Sequence, residues 1–152
     1  MKMYIGLIVL MSIGANACAG PPVMKAFNVE PAQILHRQVN DFGQTYVLND
    51  SSVFVAKEGG VGAIVSASLF FNGAADKKAL VNRMLWMLEA TNAAPEFRDW
   101  AKKTLPANWR LDKDNFVLPL RSEKYGTHEF TYANTGHNQL YILTYRRLAL
   151  GR

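Results

Sequence analysis

The chain has 152 residues, of which 49% are hydrophobic, and it carries a formal net charge of +5 and a single cysteine. One cysteine excludes an internal disulfide, so the fold must be stabilised by a hydrophobic core, for which this length and composition suffice. The lysines and arginines are scattered in ones and twos rather than gathered into a basic run, which argues against a nucleic-acid partner.

The first twenty residues have the pattern of an export signal. Lys2 is followed by an uncharged apolar run over residues 4–14, and small residues come after that run. At about 1.5 Å per residue, the run is too short to cross a hydrocarbon layer about 30 Å thick. We therefore expect a signal peptide over residues 1–19 and a single mature domain over residues 20–152, which is exported to the periplasm or secreted.

Two cleavage positions fit the spacing of small residues, one after Ala17 and one after Ala19. The segment Ala15-Asn16-Ala17-Cys18 resembles the lipobox of bacterial lipoproteins, with Ala15 where leucine is commonest. That resemblance implies acylation of Cys18 and a lipid anchor to the membrane. Cleavage after Ala19 would instead discard Cys18 and release a soluble protein. The lack of disulfides in an exported domain of this size favours a bacterial protein.

Strands dominate the first half of the mature domain. Pro31 at a first turn predicts a short helix over residues 30–40. Runs of strand-forming residues then predict two strands over residues 44–48 and 53–57, and a glycine-rich reversal leads into a long strand over residues 61–71. The short connections between these segments predict antiparallel pairing.

Two serines share one face of the long strand. Ser66 and Ser68 alternate with apolar residues. We interpret them as small side chains that let a helix approach the sheet closely. A serine nucleophile would need a base within hydrogen-bond reach, and no sequence pattern supplies one.

The centre of the chain changes to a helical period. Apolar residues recur at helical spacing over residues 74–91, and Asp76 lies in the first turn, where a carboxylate suits the helix dipole. A second, shorter helix is predicted to begin at Pro95 and to end before Pro106. We expect the longer helix to be the core helix.

Strand patterns return after the helices. We predict strands over residues 109–111, 116–121, 127–133 and 139–148, the last of which carries bulk on both faces and is therefore an interior strand. The order of elements predicts an α+β fold, in which an antiparallel sheet of about five to seven strands has one long and one short helix packed on a face.

The sequence contains none of the spaced motifs of a nucleophile elbow, a phosphate-binding loop, a dinucleotide fingerprint or a zinc-binding helix, and we predict no metal and no cofactor. For acid–base chemistry, the only cluster to test is His128 with Glu123 or Glu129. Strand alternation points His128 and Glu129 to opposite faces, which weakens that candidate.

Aromatic residues crowd the C-terminal strands beside two arginines. Tyrosines and arginines are favoured at binding surfaces. The candidate binding residues are Tyr125, Phe130, Tyr132, Tyr141, Tyr145, Arg146 and Arg147. The leading interpretation is a small, exported, non-enzymatic domain that binds a protein or another envelope macromolecule, as an accessory, inhibitor or immunity-type protein does.

Two alternatives remain open. The first is a domain that binds a small apolar ligand or a lipid, with Met84, Trp86 and Met87 closing over the sheet, and it predicts a cavity between that helix and strand residues 64–69. The second is an envelope hydrolase that uses His128.

Overall fold

The computed structural model describes residues 27–41, 43–59 and 63–149. The predicted signal peptide, both cleavage positions and Cys18 lie outside the described residues. Within the described residues, no helix is long and apolar enough to span a membrane.

The described chain forms one antiparallel sheet of seven strands and two α-helices. The strands are β1 Ile34–Asn40, β2 Gly43–Leu48, β3 Val53–Glu58, β4 Ala63–Asn72, β5 Phe116–Ser122, β6 Gly126–Asn134 and β7 Leu140–Leu148. The helices are α1 Lys77–Ala90 and α2 Pro95–Thr104, and short 3₁₀ turns lie at Pro31–Gln33, Leu105–Ala107 and Trp109–Asp112. The predicted α+β class, the antiparallel sheet and the two helices are confirmed.

The strand order is β1-β2-β3-β4-β7-β6-β5. The chain builds β1 to β4 as a meander, crosses through α1 and α2, and then adds β5 to β7 so that β7 pairs with β4. Because β7 has a partner on each side, the prediction that the last strand is an interior one is confirmed. The joint between β4 and β7 is the centre of the sheet.

Both helices pack on the same face of the sheet, which we call the covered face. The Trp86 ring of α1 meets the edge of Phe54 on β3, with 5.0 Å between ring centroids. Phe97 of α2 stacks on His128 of β6 at 3.7 Å. Alternate strand residues and the inner sides of both helices form one buried core, which follows from the period of two along each strand.

The opposite side of the sheet, which we call the uncovered face, carries no second layer from the described residues. Cross-strand pairing places its side chains in rows. Its central residues are Val53, Phe70, Ile142, Val55, Ser68, Thr144, Thr131, Lys57, Ser66, Arg146 and Glu129. Antiparallel sheets commonly leave one face to solvent, so this arrangement needs no further layer for stability.

Local chemistry explains where the two helices begin. The Asp76 side chain accepts a hydrogen bond from the Ala79 amide at 2.7 Å and so caps α1. Pro95 occupies the first turn of α2, where its missing amide costs nothing. The predicted start of α2 is confirmed, and α1 is shorter than the predicted 74–91 because Asp76 is its cap.

Two local predictions were wrong. Residues 30–40 form a 3₁₀ turn followed by strand β1, because the backbone of β1 pairs with β2 and that pairing outweighs the helical signal of Pro31. Residues 109–111 belong to the 3₁₀ turn Trp109–Asp112, which Asn108 caps through a 3.0 Å hydrogen bond from the Arg110 amide.

The interpretation of Ser66 and Ser68 was also wrong. Both serines lie on the uncovered face, where the Ser68 hydroxyl is 3.3 Å from the Thr144 hydroxyl. The helices instead pack over the alternate residues of β4, including Ala67 and Leu69. The serines therefore have no part in helix packing.

Candidate functional site

The predicted aromatic and basic surface does not form as one exposed patch. Phe130, Tyr132 and Tyr145 lie on the covered face and are 0%, 3% and 1% exposed. The physical reason is strand alternation, since every second residue of β6 and β7 points under the helices. The expectation of a shared exposed surface is corrected here, and a binding role for these residues stays a prediction.

The other predicted residues are divided between the two faces. Tyr125 and Tyr141 are partly buried and pack against the margin of the core. Arg147 shares the covered side of β7, whereas Arg146 lies on the uncovered face with its guanidinium 4.0 Å from Glu129. The two arginines therefore cannot contact one partner surface together.

His128 is built into the core. It is 2% exposed, and its Nε2 lies 3.1 Å from the Tyr125 carbonyl oxygen. Because a carbonyl can only accept, Nε2 carries the hydrogen, and Nδ1 accepts a hydrogen bond from the Tyr145 hydroxyl at 2.8 Å. Burial lowers the pKa of His128 to about 4, and the charge of Arg147 acts in the same direction against the Tyr125 hydrogen bond.

The candidate acid–base cluster is not brought together. Glu129 lies on the opposite face from His128, as alternation predicted, and the Glu123 side chain is exposed in the turn between β5 and β6. Burial raises the pKa of the Tyr145 hydroxyl, so the partner of His128 is also neutral. This arrangement is suited to a neutral structural histidine.

A cavity of about 390 Å³ opens on the covered side, between α1 and the turn that joins β2 to β3. Its size lies within the range of pockets that bind small molecules, which is roughly 300–1,000 Å³. Its lining comes from four separate segments of the chain and comprises Gln33, Leu48, Asn49, Asp50, Ser52, Leu69, Asn82, Arg83 and Trp86.

The apolar part of the cavity is made by Leu48, Leu69 and Trp86. Leu48 and Leu69 are almost fully buried in the sheet. Trp86 is held on both sides, because its ring packs on Phe54 and its Nε1 donates a 3.2 Å hydrogen bond to the Gln33 side chain. The apolar wall is thus fixed before any ligand arrives.

The charged part of the cavity is an arginine beside an aspartate. The Arg83 guanidinium lies over the Phe71 ring, 4.1 Å from its centroid, and is 3.8 Å from an Asp50 carboxylate oxygen. The other Asp50 oxygen accepts hydrogen bonds from the Ser52 hydroxyl and, at 3.0 Å, from the Ser52 amide. Burial alone would raise the pKa of Asp50, but these hydrogen bonds and the charge of Arg83 outweigh it and lower that pKa.

The rim of the cavity is tied to the segment before β1. The Asn49 side-chain amide donates to the Ala32 carbonyl at 2.6 Å, and the Asn49 backbone amide donates to the Gln33 carbonyl at 3.0 Å. Asn82 is exposed on α1 and adds a second amide at the mouth. These hydrogen bonds hold the turn between β2 and β3 against the segment that precedes β1.

Sequence reasoning placed Trp86 near a cavity but missed the charged residues. One signal was available for Arg83, because it is the only charged residue of α1 between Lys78 and Glu89. A partly buried cation in that mostly apolar stretch is stabilised by a partner or by a polar site that it faces. Asp50 offered no such signal, since aspartate is common in turns.

Comparisons with known proteins provide no relative from which a function could be transferred: no family model, curated protein or solved structure matches the chain. Within the described residues, no three histidine, cysteine or acidic side chains converge as a metal site would require. The site must therefore be interpreted from its own geometry.

Proposed function

We propose that this protein is an exported, non-enzymatic domain that binds a small molecule with an apolar body in the cavity between α1 and the β2–β3 turn. The observation that carries the proposal is a 390 Å³ cavity that joins an apolar wall of Leu48, Leu69 and Trp86 to a polar rim. Most small-molecule sites combine an apolar lining with a few fixed polar groups. The export part of the proposal rests on the signal pattern of residues 1–19.

The position of the cavity also favours this function over the sequence-based leading interpretation. The small-ligand alternative required a cavity between the long helix and strand residues 64–69, and the cavity is lined by Trp86 of α1 and Leu69 of β4. Met84 and Met87, by contrast, are fully buried in the core, so they do not act as a lid. The wall that meets a ligand is formed by Trp86 instead.

The test is a binding titration followed by two-dimensional NMR on the mature chain. A panel of small aromatic and aliphatic probes should shift the signals of Trp86 and Leu69. The variant Asn82→Trp places a large ring at the mouth of the cavity and should weaken binding at least about tenfold, which corresponds to about 1.4 kcal/mol.

The matched control is Lys78→Trp, which changes another exposed residue of α1 that does not line the cavity. It should bind the probes as the unmodified protein does. Equal binding by the Asn82→Trp variant, or probe-induced shifts confined to residues outside the cavity, would contradict the proposal.

A second candidate function is the binding of a protein to the uncovered face. One row of that face is apolar, with Val53, Phe70 and Ile142 side by side, and Ile64 and Val117 are 48% and 54% exposed. Lys57 and Arg121 are exposed cations on the same face. These features favour a partner protein whose apolar surface is bordered by carboxylates.

Photo-crosslinking in the native cell envelope tests this second candidate. A crosslinking residue at position 64 or 117 should capture the same partner, and Lys57→Glu should reduce the yield by reversing a charge that the partner meets. A crosslinking residue at the exposed position 103 of α2 is the control. Equal capture from position 103, or no capture from either sheet position, would exclude the uncovered face as the binding surface.

A further inference from the structure

Arg83 is a cation with unused hydrogen-bonding capacity beside the apolar wall of the cavity. Its distance of 3.8 Å from Asp50 exceeds a hydrogen bond, and among the described residues no hydrogen bond engages its guanidinium. The stacking on Phe71 holds the planar group in place without using its N–H donors. Several donors are therefore available to a molecule in the cavity.

From this geometry we infer that the ligand of the cavity is a carboxylate with an aliphatic or aromatic body, whose carboxylate pairs with Arg83 while its body lies against Leu69 and Trp86. This inference rests on the proposed function, which it makes specific. A planar guanidinium matches a carboxylate in a two-pronged hydrogen-bonded pair, and the apolar wall matches the remainder of such a molecule.

Asp50 limits the negative charge that a ligand of this cavity can carry. Its carboxylate is held by Ser52 and lies beside Arg83, so it attracts the same cation that the ligand would use. A single negative charge on the ligand can be balanced by Arg83, whereas a doubly charged phosphate would meet the repulsion of Asp50 with one arginine to oppose it. The site therefore favours a monoanion.

A neighbouring groove carries charges next to the cavity mouth. A second cavity of about 250 Å³ shares Asn82 and Trp86 with the first and is lined by Arg98 and Lys102. Arg98 pairs with Glu89 at 3.5 Å, while its buried Nε has no hydrogen-bond partner among the described residues. Lys102 in turn pairs with Asp99 at 3.5 Å, so the two cations of this groove are balanced by two carboxylates and the preference for an anion rests on Arg83.

The experiment compares three probes of one shape: 3-phenylpropionate, its neutral amide and the corresponding amine. Titrations followed by NMR on the mature chain should show the carboxylate binding about tenfold or more tightly than the amide, because a hydrogen bond to a charged group is stronger than a neutral one. Arg83→Gln should remove that preference and leave the affinity for the amide unchanged. Asp50→Asn should strengthen binding of the carboxylate.

The matched control is Arg110→Gln, which removes an arginine that stacks on Trp109 away from the cavity. It should keep the preference for the carboxylate. Should Arg83→Gln fail to fold, Arg83→Lys retains the charge and should show an intermediate preference.

The outcomes separate this inference from the proposed function. Equal binding of amide and carboxylate, blocked by Asn82→Trp, would overturn the ligand class and leave the small-molecule site standing. Preferential binding of the amine, lost in Asp50→Asn, would also overturn the ligand class by reversing its charge. Absence of any probe binding in the cavity would overturn both.

Discussion

At the scale of single residues, His128 shows how a titratable side chain becomes part of a core. Both ring nitrogens are hydrogen bonded, to the Tyr145 hydroxyl and the Tyr125 carbonyl, and the ring stacks on Phe97. Protonation would place a second hydrogen on Nδ1, which now accepts from Tyr145. The folded protein therefore binds that proton much less readily than the unfolded chain does.

This linkage predicts a specific pH dependence. The pKa of His128 is about 4 in the folded protein, against an ordinary value of 6.5. Below pH 6.5 the unfolded chain takes up a proton that the folded chain does not. The contribution of His128 to the free energy of unfolding is therefore fully present above pH 6.5 and is lost as the pH falls towards 4. Between about pH 7.5 and about pH 5 we expect His128 to lower the free energy of unfolding by about 2 kcal/mol.

Urea unfolding at both pH values measures this change. His128→Gln should be less stable than the unmodified protein at about pH 7.5. Its free energy of unfolding should fall much less than that of the unmodified protein when the pH is lowered to about 5. His137→Gln, at an exposed histidine in the β6–β7 turn, is the control and should keep the loss. An unmodified protein as stable at about pH 5 as at about pH 7.5 would mean that His128 is readily protonated in the fold.

At the scale of elements, β1 is the clearest case of pairing overriding a local signal. Pro31 begins a single 3₁₀ turn, after which Ile34–Asn40 pairs with β2. β1 is an edge strand whose residues are exposed from Leu35 to Asn40. An edge strand gains only one ladder of hydrogen bonds and little burial, so it should be the least stable part of the sheet.

Hydrogen exchange followed by NMR checks this expectation. Amides of β1 that pair with β2 should exchange at least about a hundredfold faster than amides of β4 and β7 at the centre of the sheet, such as those of Leu69 and Leu143. Cross-strand contacts between Arg37 and Tyr46 in the same spectra would verify the strand. Equal protection of β1 and β4, or helical contacts within residues 34–40, would contradict it.

At the scale of the whole molecule, the position of the helices determines where a ligand can bind. Both helices lie on the covered face, and the cavity forms where the turn between β2 and β3 faces the middle of α1. The aromatic side chains of β6 and β7 are buried in the core beneath those helices or pack against it. The aromatic residues that were predicted to form a binding surface therefore lie in the packed interior. The cavity beside α1 is the concave site that we propose for a ligand.

Local patterns in the sequence were sufficient for most elements. Strand-forming residues between turn clusters, together with alternation in the longest strands, predicted six of the seven strands, from β2 to β7. Helical spacing, with Asp76 and Pro95 at the helix starts, predicted α1 and α2. The export signal in residues 1–19 remains an expectation from the sequence.

Only the tertiary structure showed which face of each strand the helices cover and which residues line the cavity. Alternation separates Ser66 and Ser68 from Ala67 and Leu69, but it does not state which set the helices will cover. It likewise could not show that Tyr145 would be buried. The cavity depends on bringing Asp50, Leu69 and Arg83 together from separate segments, and such contacts between distant residues leave no periodic trace in the sequence. The sequence by itself therefore determined most of the elements, whereas pairing with β2 decided β1 and packing determined the site.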